Sequence, residues 1–157
     1  VIVYQIAGGS LSKFATVDKN PPLLKSTADK FITGLLSAWC DGFGKEKLFH
    51  CFVADVEGTI VGMALVYPRY STWKGPVLHL EDLIVTEKLR GIGIGNALLT
   101  EVVKYGHGLG VKRISWEVID WNEPAIAFYE KKGARVMRDW DVVQLNEEGM
   151  KRFLKIG

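Results

Sequence analysis

Residues 89–103, LRGIGIGNALLTEVV, place three glycines at alternate positions directly before an apolar stretch with helical spacing. Glycine loses more conformational entropy on folding than any other residue, so three of them at a helix start need a physical reason. One reason is anion binding, because free backbone N–H groups and the helix dipole both favour negative charge at a helix N-terminus. The other reading is a glycine-rich turn that binds nothing.

Two familiar phosphate-binding patterns do not fit this segment. A P-loop needs a Gly-Lys-Ser/Thr sequence, and no such lysine follows Gly95. A dinucleotide-binding G-x-G-x-x-G that starts at Gly91 would need glycine at position 96, which is Asn96. What remains is an R-x-x-G-x-G pattern that begins at Arg90, whose guanidinium adds positive charge beside the glycines.

The composition describes an ordinary globular protein. The 157 residues are enough for one domain with a substantial core, and we expect residues 1–157 to form a single domain. Hydrophobic residues make up 48% and charged residues 24%, which excludes a disordered or low-complexity chain. Basic and acidic residues are intermixed and sum to +2, so we expect no nucleic-acid partner.

The sequence shows no sign of metal binding, disulfides or membrane attachment. Cys40 and Cys51 form no C-x-x-C pair, and His50, His79 and His107 have no metal-ligand spacing. The first ten residues are too short to span a bilayer and lack the basic part of a signal peptide. We therefore expect no metal, no membrane anchor and a cytoplasmic location.

The pattern of apolar residues and turn signals predicts a mixed α/β domain with a sheet covered by helices. We leave the N-terminal element open. The further predictions are a loop over 15–26, a helix from Ser26 or Thr27 to Trp39, a hairpin over 49–68 with Gly58 in the turn, a strand over 77–85 buried on both faces, a helix to about His107, a strand over 112–119, a helix over 121–134 with Pro124 in its first turn and Gly133 past its end, and a short strand and helix over 141–157.

The segment from Arg90 to Gly95 resembles the pyrophosphate loop of the GNAT superfamily of N-acetyltransferases, in which successive backbone amides hold the diphosphate of acetyl-coenzyme A. LHLEDLIV (78–85), VIDWNEPAIAFYEKKGA (118–134) and DGFGKEKLFHCFVADV (41–56) resemble the spermidine/spermine and thialysine N-acetyltransferase branch. The resemblance implies a mixed, mostly antiparallel twisted sheet flanked by helices, acetyl-CoA as cofactor, a small-molecule amine as acceptor, and a homodimer.

Acetyl transfer to an amine needs a base, because an alkyl ammonium and an unperturbed carboxylate differ in proton affinity by roughly 8 kcal/mol. Burial raises the pKa of a carboxyl group and lowers that of an ammonium group, so it reduces this difference. Glu81 lies inside an apolar strand and is therefore the predicted base, acting through water. Regular strand alternation would put Glu81 and Asp82 on opposite faces, and the resemblance places Asp82 near the amine. Alternatively, one carboxylate reaches solvent at a strand irregularity while the other pairs with an arginine.

Tyr129 matches the family tyrosine that protonates the thiolate of coenzyme A, although a core tyrosine is the other reading. Asn122 is otherwise a turn and cap residue, and Lys131 otherwise faces water. A backbone N–H near Ile84 or Val85 is the predicted donor to the acetyl carbonyl. The cofactor contacts implied by the resemblance are Leu83, Ile84, Val85, Arg90, Gly91, Ile92, Gly93, Ile94, Gly95, Asn96, Asn122, Pro124, Ala125, Phe128, Tyr129 and Lys131.

The acceptor amine is less well defined. Polyamine-binding members carry two acidic residues at positions that correspond here to Ala15 and Ser71. Trp73 and Trp140 offer cation–π faces to an amine, or they simply pack. We therefore expect a diamine, a polyamine or a lysine-like amino acid as substrate. The alternatives are acetylation of protein lysines or N-termini, and a non-catalytic module that binds coenzyme A.

Overall fold

The computed structural model describes residues 2–7, 10–16 and 48–155. The predicted helix that ends at Trp39 lies outside the described residues, as does the predicted loop beyond Thr16. The chain divides into two compact units, Val1–Glu117 and Val118–Gly157, which are described separately below. The expectation of a single domain stays a prediction.

The first unit contains a six-stranded mixed sheet with the order β2-β1-β3-β4-β5-β6. Every neighbouring pair is antiparallel except β5 and β6, which are parallel. This arrangement confirms the expected mostly antiparallel α/β architecture and assigns two strands to the N-terminal segment. The strands are β1 (Ile2–Ala7), β2 (Ser10–Thr16), β3 (His50–Val56), β4 (Thr59–Ser71), β5 (Gly75–Val85) and β6 (Ile114–Ser115).

The hairpin between β3 and β4 is confirmed, with its turn at Glu57 and Gly58. Both residues have positive φ, 49° and 81°, which is the backbone of a two-residue turn that matches the twist of the strands. The N–H of Gly58 donates to Oδ1 of Asp55 at 3.1 Å. Asp55 therefore supports the turn from the end of β3.

β5 differs from its prediction in length and burial. It begins at Gly75, so residues 72–74 alone join it to β4. Residues 77–80 are buried as predicted, but Glu81 and Asp82 are exposed. The expectation of burial on both faces is therefore wrong beyond Leu80, because the strand leaves its regular register at this point.

Helix α1 (Ile94–Gly108) packs against β3, β4 and β5 with a single apolar face. Ile94, Leu98 and Val102 recur every four residues on this face, and none is more than 1% exposed. The helix ends at Gly108, in agreement with the predicted end near His107. It is preceded by a single 3-10 turn, Glu87–Leu89, which connects β5 to the glycine segment.

β6 is shorter than predicted. Only Ile114 and Ser115 pair with β5, opposite Leu78 and His79, so the predicted strand over 112–119 is wrong outside these two residues. An irregularity in β5 at Glu81 follows this pairing directly, and such irregularities bend a strand and end its ladder.

The second unit contains helices α2 (Glu123–Glu130) and α3 (Glu147–Phe153). Oδ1 of Asn122 accepts from the N–H of Ala125 at 3.4 Å, and Oδ1 of Asn146 accepts from the N–H of Gly149 at 2.8 Å, so an asparagine caps each helix. Both predicted helices are confirmed. The short strand predicted within 141–157 is wrong, because the described part of this unit offers no strand with which its backbone could pair.

No helix among the described residues has both the length and the apolar composition needed to cross a membrane.

Candidate active site

A β-bulge in β5 organises the carboxylates of the first unit. Leu80 lies opposite Val66 of β4, and Asp82 lies opposite Leu65, so Glu81 is an extra residue without a partner in β4. A bulge of this kind breaks the alternation of side chains along a strand. The two carboxylates therefore do not follow the regular pattern that the sequence predicted.

Glu81 and Asp82 lie on the same face of the sheet. Oε2 of Glu81 accepts a hydrogen bond from the hydroxyl of Tyr67 at 2.8 Å, while Asp82 lies directly across from Leu65. Leu65 and Tyr67 are two residues apart in β4 and pack against one apolar cluster. The expectation that the two carboxylates lie on opposite faces is wrong, because the extra residue shifts the register by one.

The structure also contradicts the expected burial of Glu81. The side chain of Glu81 is 51% exposed, so the expectation that it lies buried inside the strand is wrong. The bulge carries it toward solvent, as in the second reading of the sequence. Partial burial and the nearby charge of Glu81 instead raise the pKa of Asp82. Asp82 is therefore the carboxyl that holds a proton more readily than usual.

Tyr67 and His79 lie beside Glu81, and Arg69 contacts His79. Sequence reasoning missed all three as site residues. Nε2 of the buried His79 lies 3.5 Å from Oε2 of Glu81, and its Nδ1 lies 3.1 Å from Nη1 of Arg69. Burial and the charge of Arg69 lower the pKa of His79, while burial and the bond to Glu81 raise the pKa of Tyr67. The sequence did contain a signal for these residues, because polar side chains alternate along two adjacent strands. Only the register of β4 and β5 at the bulge shows that these side chains lie close together.

The glycine segment forms an open turn before α1. Gly91 and Gly93 have φ of 79° and 101°, and a Cβ atom added to either would meet no atom within 4 Å. Gly93 is the N-cap of α1, and no side chain caps this helix. The first-turn N–H groups therefore have no acceptor among the described residues. This cradle of unpaired N–H groups fits the diphosphate of coenzyme A.

Arg90 is anchored at the same turn. Its Nε donates to the carbonyl oxygen of Val85 at 3.1 Å, and the residue remains exposed. The guanidinium retains further N–H donors that can bind a phosphate. Arg90, Gly91, Ile92 and Gly93 thus form the turn before α1, and Ile94, Gly95 and Asn96 begin the helix. Their role in binding the cofactor stays a prediction.

The end of β5 offers backbone donors next to this turn. Beyond His79, the edge of β5 that faces away from β4 has no strand partner among the described residues, because β6 ends at Ser115. Leu83, Ile84 and Val85 along this edge are partly exposed. A backbone N–H from Ile84 or Val85 remains the predicted donor to an acetyl carbonyl.

The residues predicted in the second unit lie on or beside α2. Asn122 caps the helix, Pro124 occupies its first turn, and the rings of Phe128 and Tyr129 meet edge to face with centroids 5.3 Å apart. Burial raises the pKa of Tyr129, so the phenol keeps its proton at neutral pH. Lys131 is exposed. The roles of these residues toward a cofactor stay predictions.

The two predicted tryptophans are exposed among the described residues. Trp73 lies in the turn between β4 and β5 and is 81% exposed, and Trp140 in the second unit is 67% exposed. Ser71, which stands where polyamine-binding relatives carry an acid, ends β4, and its Oγ accepts from the N–H of Lys74 at 3.3 Å. The alternative reading, in which the two tryptophans pack in the core, is therefore not observed. Position 71 carries no acid that could bind a polyamine.

Comparisons with known proteins identify the family. The profile described as "Acetyltransferase (GNAT) family" matches residues 18–134. A thialysine N-epsilon-acetyltransferase from Bos taurus is 33% identical over 124 residues, which cover 72% of this chain and 73% of the relative. An L-ornithine N5-acetyltransferase from Arabidopsis thaliana is 37% identical over 113 residues, which cover 71% of this chain and 49% of the relative.

Solved structures share the fold. An integron cassette protein from V. cholerae aligns with a TM-score of 0.67 at 21% identity, over 78% of this chain and 77% of the other. An aminoglycoside N-acetyltransferase in complex with CoA aligns with a TM-score of 0.61 at 20% identity, over 77% and 95%. The chain belongs to the acetyltransferase (GNAT) family and is an N-acetyltransferase that uses acetyl-CoA.

Proposed function

We propose that this acetyltransferase moves an acetyl group directly from acetyl-CoA to the primary amine of a small molecule, either a diamine or polyamine or a lysine-like amino acid. The main support for this proposal is the β-bulge in β5. It places Glu81 and Asp82 on the same face of the sheet, and the same strand leads into the turn whose N–H groups have no acceptor in the described part of the chain. Two carboxylates suit a cationic amine. The relatives named for thialysine, L-ornithine and spermidine/spermine support this substrate class.

The chain's own residues position the cofactor through backbone groups. Acetyl-CoA supplies a thioester whose carbonyl carbon accepts the amine and whose sulfur leaves. The N–H groups of residues 91–96 hold the diphosphate at the positive end of α1, and Arg90 adds a charge-assisted bond. Glycines at 91 and 93 let the phosphates approach the backbone, since no side chain fills the space above them.

Glu81 removes the proton that makes the amine unreactive. Its Oε2 already accepts from Tyr67, whereas Oε1 receives no hydrogen bond from any described residue. Oε1 is therefore available to a water molecule that relays the proton from the ammonium to the carboxylate. Asp82, on the same face, attracts the ammonium group. Tyr129 returns a proton to the departing thiolate, which suits a phenol whose pKa burial raises.

The remaining predicted contacts complete the proposal. Leu83, Ile84 and Val85 contact the acetyl and pantetheine part through the free edge of β5, and Trp73 and Trp140 face the carbon chain of the amine.

A homodimer and a cytoplasmic location are part of the same proposal, and a light-scattering mass tests the dimer. The cofactor contacts proposed from the second unit are Asn122, Pro124, Ala125, Phe128 and Lys131.

A panel of acceptors tests the substrate class. The protein is incubated with acetyl-CoA and diamines, polyamines, lysine or ornithine analogues, or peptides that carry a lysine or a free N-terminus, and released thiol is measured. We expect thiol release with the small amines. A response to peptides alone would contradict the proposal in favour of protein acetylation. No response from a protein that binds coenzyme A would indicate a non-catalytic module.

Glu81→Gln tests the base directly. We expect kcat/KM to fall by about 100-fold at neutral pH, because the amide cannot take up the proton. The loss should shrink as pH rises, since more of the amine is then neutral in solution. Glu57→Gln is the matched control, because it removes the same charge from an exposed turn of the same sheet. Equal rates for the two variants would remove Glu81 from the mechanism.

A further inference from the structure

We propose that Arg69 and His79 are positioning residues for Glu81: the guanidinium selects the imidazole tautomer whose proton lies on Nε2, facing the carboxylate. This inference rests on the proposed role of Glu81 as base. It goes beyond that role because it assigns a function to two residues that do not themselves touch the reacting atoms.

Arg69 determines which imidazole nitrogen carries the proton. A guanidinium has only donors, so the 3.1 Å contact between Nη1 of Arg69 and Nδ1 of His79 requires Nδ1 to accept. The proton of a neutral imidazole must then sit on Nε2, which lies 3.5 Å from Oε2 of Glu81. The opposite tautomer would direct a lone pair at the carboxylate and repel it.

The imidazole is held neutral by its surroundings. His79 is 5% exposed, and burial and the charge of Arg69 lower its pKa, against the opposing effect of Glu81 and Glu117. A neutral ring with its proton on Nε2 presents the same N–H group to Glu81 throughout the pH range in which an amine substrate is acetylated. Protonation would place a second cation beside Arg69, which the geometry disfavours.

The charged and polar groups around Glu81, Tyr67 and His79 come from each neighbouring element. Tyr67 and Arg69 lie on β4, His79 and Asp82 lie on β5, and Glu117 follows β6 and acts on Tyr67 and His79. The hydroxyl of Tyr67 donates to Oε2, and Nε2 of His79, which carries the proton in the proposed tautomer, lies 3.5 Å from the same oxygen. The carboxylate is therefore oriented from one side, and Oε1 is left for the water that carries the proton.

Two substitutions of His79 separate positioning from packing. His79→Gln places an amide N–H close to the position of Nε2, whereas His79→Leu fills similar space without a donor. We expect His79→Leu to move the acidic limb of the pH profile of kcat/KM upward by about half a pH unit and to lower kcat/KM by about 5-fold. His79→Gln should restore most of both. KM for acetyl-CoA should stay unchanged in the two variants.

Arg69→Met provides a variant that preserves the fold, because Arg69 is exposed. We expect the same direction of shift in the acidic limb, with smaller size. Long-range ¹H–¹⁵N spectra of the histidine rings, recorded at pH 7 without substrate, should show the Nε2–H tautomer for His79 and a mixture of tautomers in Arg69→Met. This readout does not depend on activity.

Two results would overturn the inference: an Nδ1–H or charged ring in the unmodified protein, or an acidic limb that His79→Leu leaves in place. Failure of the proposed function looks different. In that case the unmodified protein releases no thiol with any amine, while the ring spectra still report the tautomer.

Discussion

At the residue scale, the bulge at Glu81 decides how two adjacent carboxylates differ. Glu81 accepts from Tyr67 and faces solvent, whereas partial burial raises the pKa of Asp82. Asp82 therefore binds a proton more readily in the folded protein than in the unfolded chain, so its contribution to stability falls as the pH rises through its titration. One extra residue in a strand thus gives two adjacent carboxylates different surroundings.

Tyr129→Phe tests the proposed acid. We expect the rate of acetyl transfer to fall by about 10- to 100-fold with coenzyme A affinity nearly unchanged, because only the hydroxyl proton is lost. Steady-state rates and calorimetric titration with coenzyme A measure the two effects. Tyr105→Phe is the control, because burial also raises the pKa of Tyr105, which packs against Phe52 on α1's side of the sheet. An unimpaired rate in Tyr129→Phe would remove its acid role.

At the scale of elements, a short segment joins the strand that carries Glu81 to the glycine turn before α1. The strand that carries Glu81 ends at Val85, and Arg90 bonds back to the carbonyl of that residue at 3.1 Å. The helix then begins without a side-chain cap. An uncapped N-terminus costs stability unless a ligand or water satisfies it, so we expect cofactor binding to stabilise this turn.

Gly93→Ala tests whether the turn before α1 binds the diphosphate of coenzyme A, and Gly110→Ala is its matched control. Gly93 and Gly110 both have positive φ, 101° and 70°, and a Cβ at either position meets no protein atom within 4 Å. Both alanine variants should lose about 1 kcal/mol of unfolding free energy through backbone strain. Only Gly93→Ala should weaken coenzyme A binding, by about 10-fold or more, because its methyl group enters the space of the diphosphate. Equal affinities in calorimetry would contradict the assignment.

At the scale of the whole molecule, the packing of α1 on the sheet holds the first unit together. Gly62 of β4 lies beneath the helix, where an added Cβ would meet the carbonyl oxygen of Ile84 at 2.8 Å and Leu98 at 3.2 Å. A backbone carbonyl cannot move aside as a flexible side chain can. The close approach of β4, β5 and α1 therefore depends on a residue without a side chain.

Gly62→Ala should destabilise the protein by about 1–3 kcal/mol through overpacking. Gly108→Ala is the control, because its added methyl group meets nothing within 4 Å at the end of α1. We expect this control to be neutral or stabilising by up to about 1 kcal/mol, since alanine favours helix. Urea unfolding measures both. A loss of stability in the control as large as that of Gly62→Ala would show that crowding at Gly62 is not the cause.

Local chemistry allowed several elements to be predicted. Gly58 marked the β3–β4 turn because a two-residue hairpin needs positive φ, and Pro124 and Gly133 bracketed α2 because one fits a first turn and the other follows a helix end. The short strand predicted within 141–157 is wrong, because a run of apolar residues shows that a strand is possible and does not supply its partner.

The sequence alone determined the β3–β4 hairpin, the helices α1 and α2, the glycine turn before α1 and the motifs of its family, because each depends on residues that are neighbours in the chain. Tertiary structure decided the bulge at Glu81, the shared face of the two carboxylates, and the contacts that link Arg69 to His79 and His79 to Glu81. Those features depend on the register between β4 and β5. Register is a property of two paired strands, so one strand's residue pattern does not contain it.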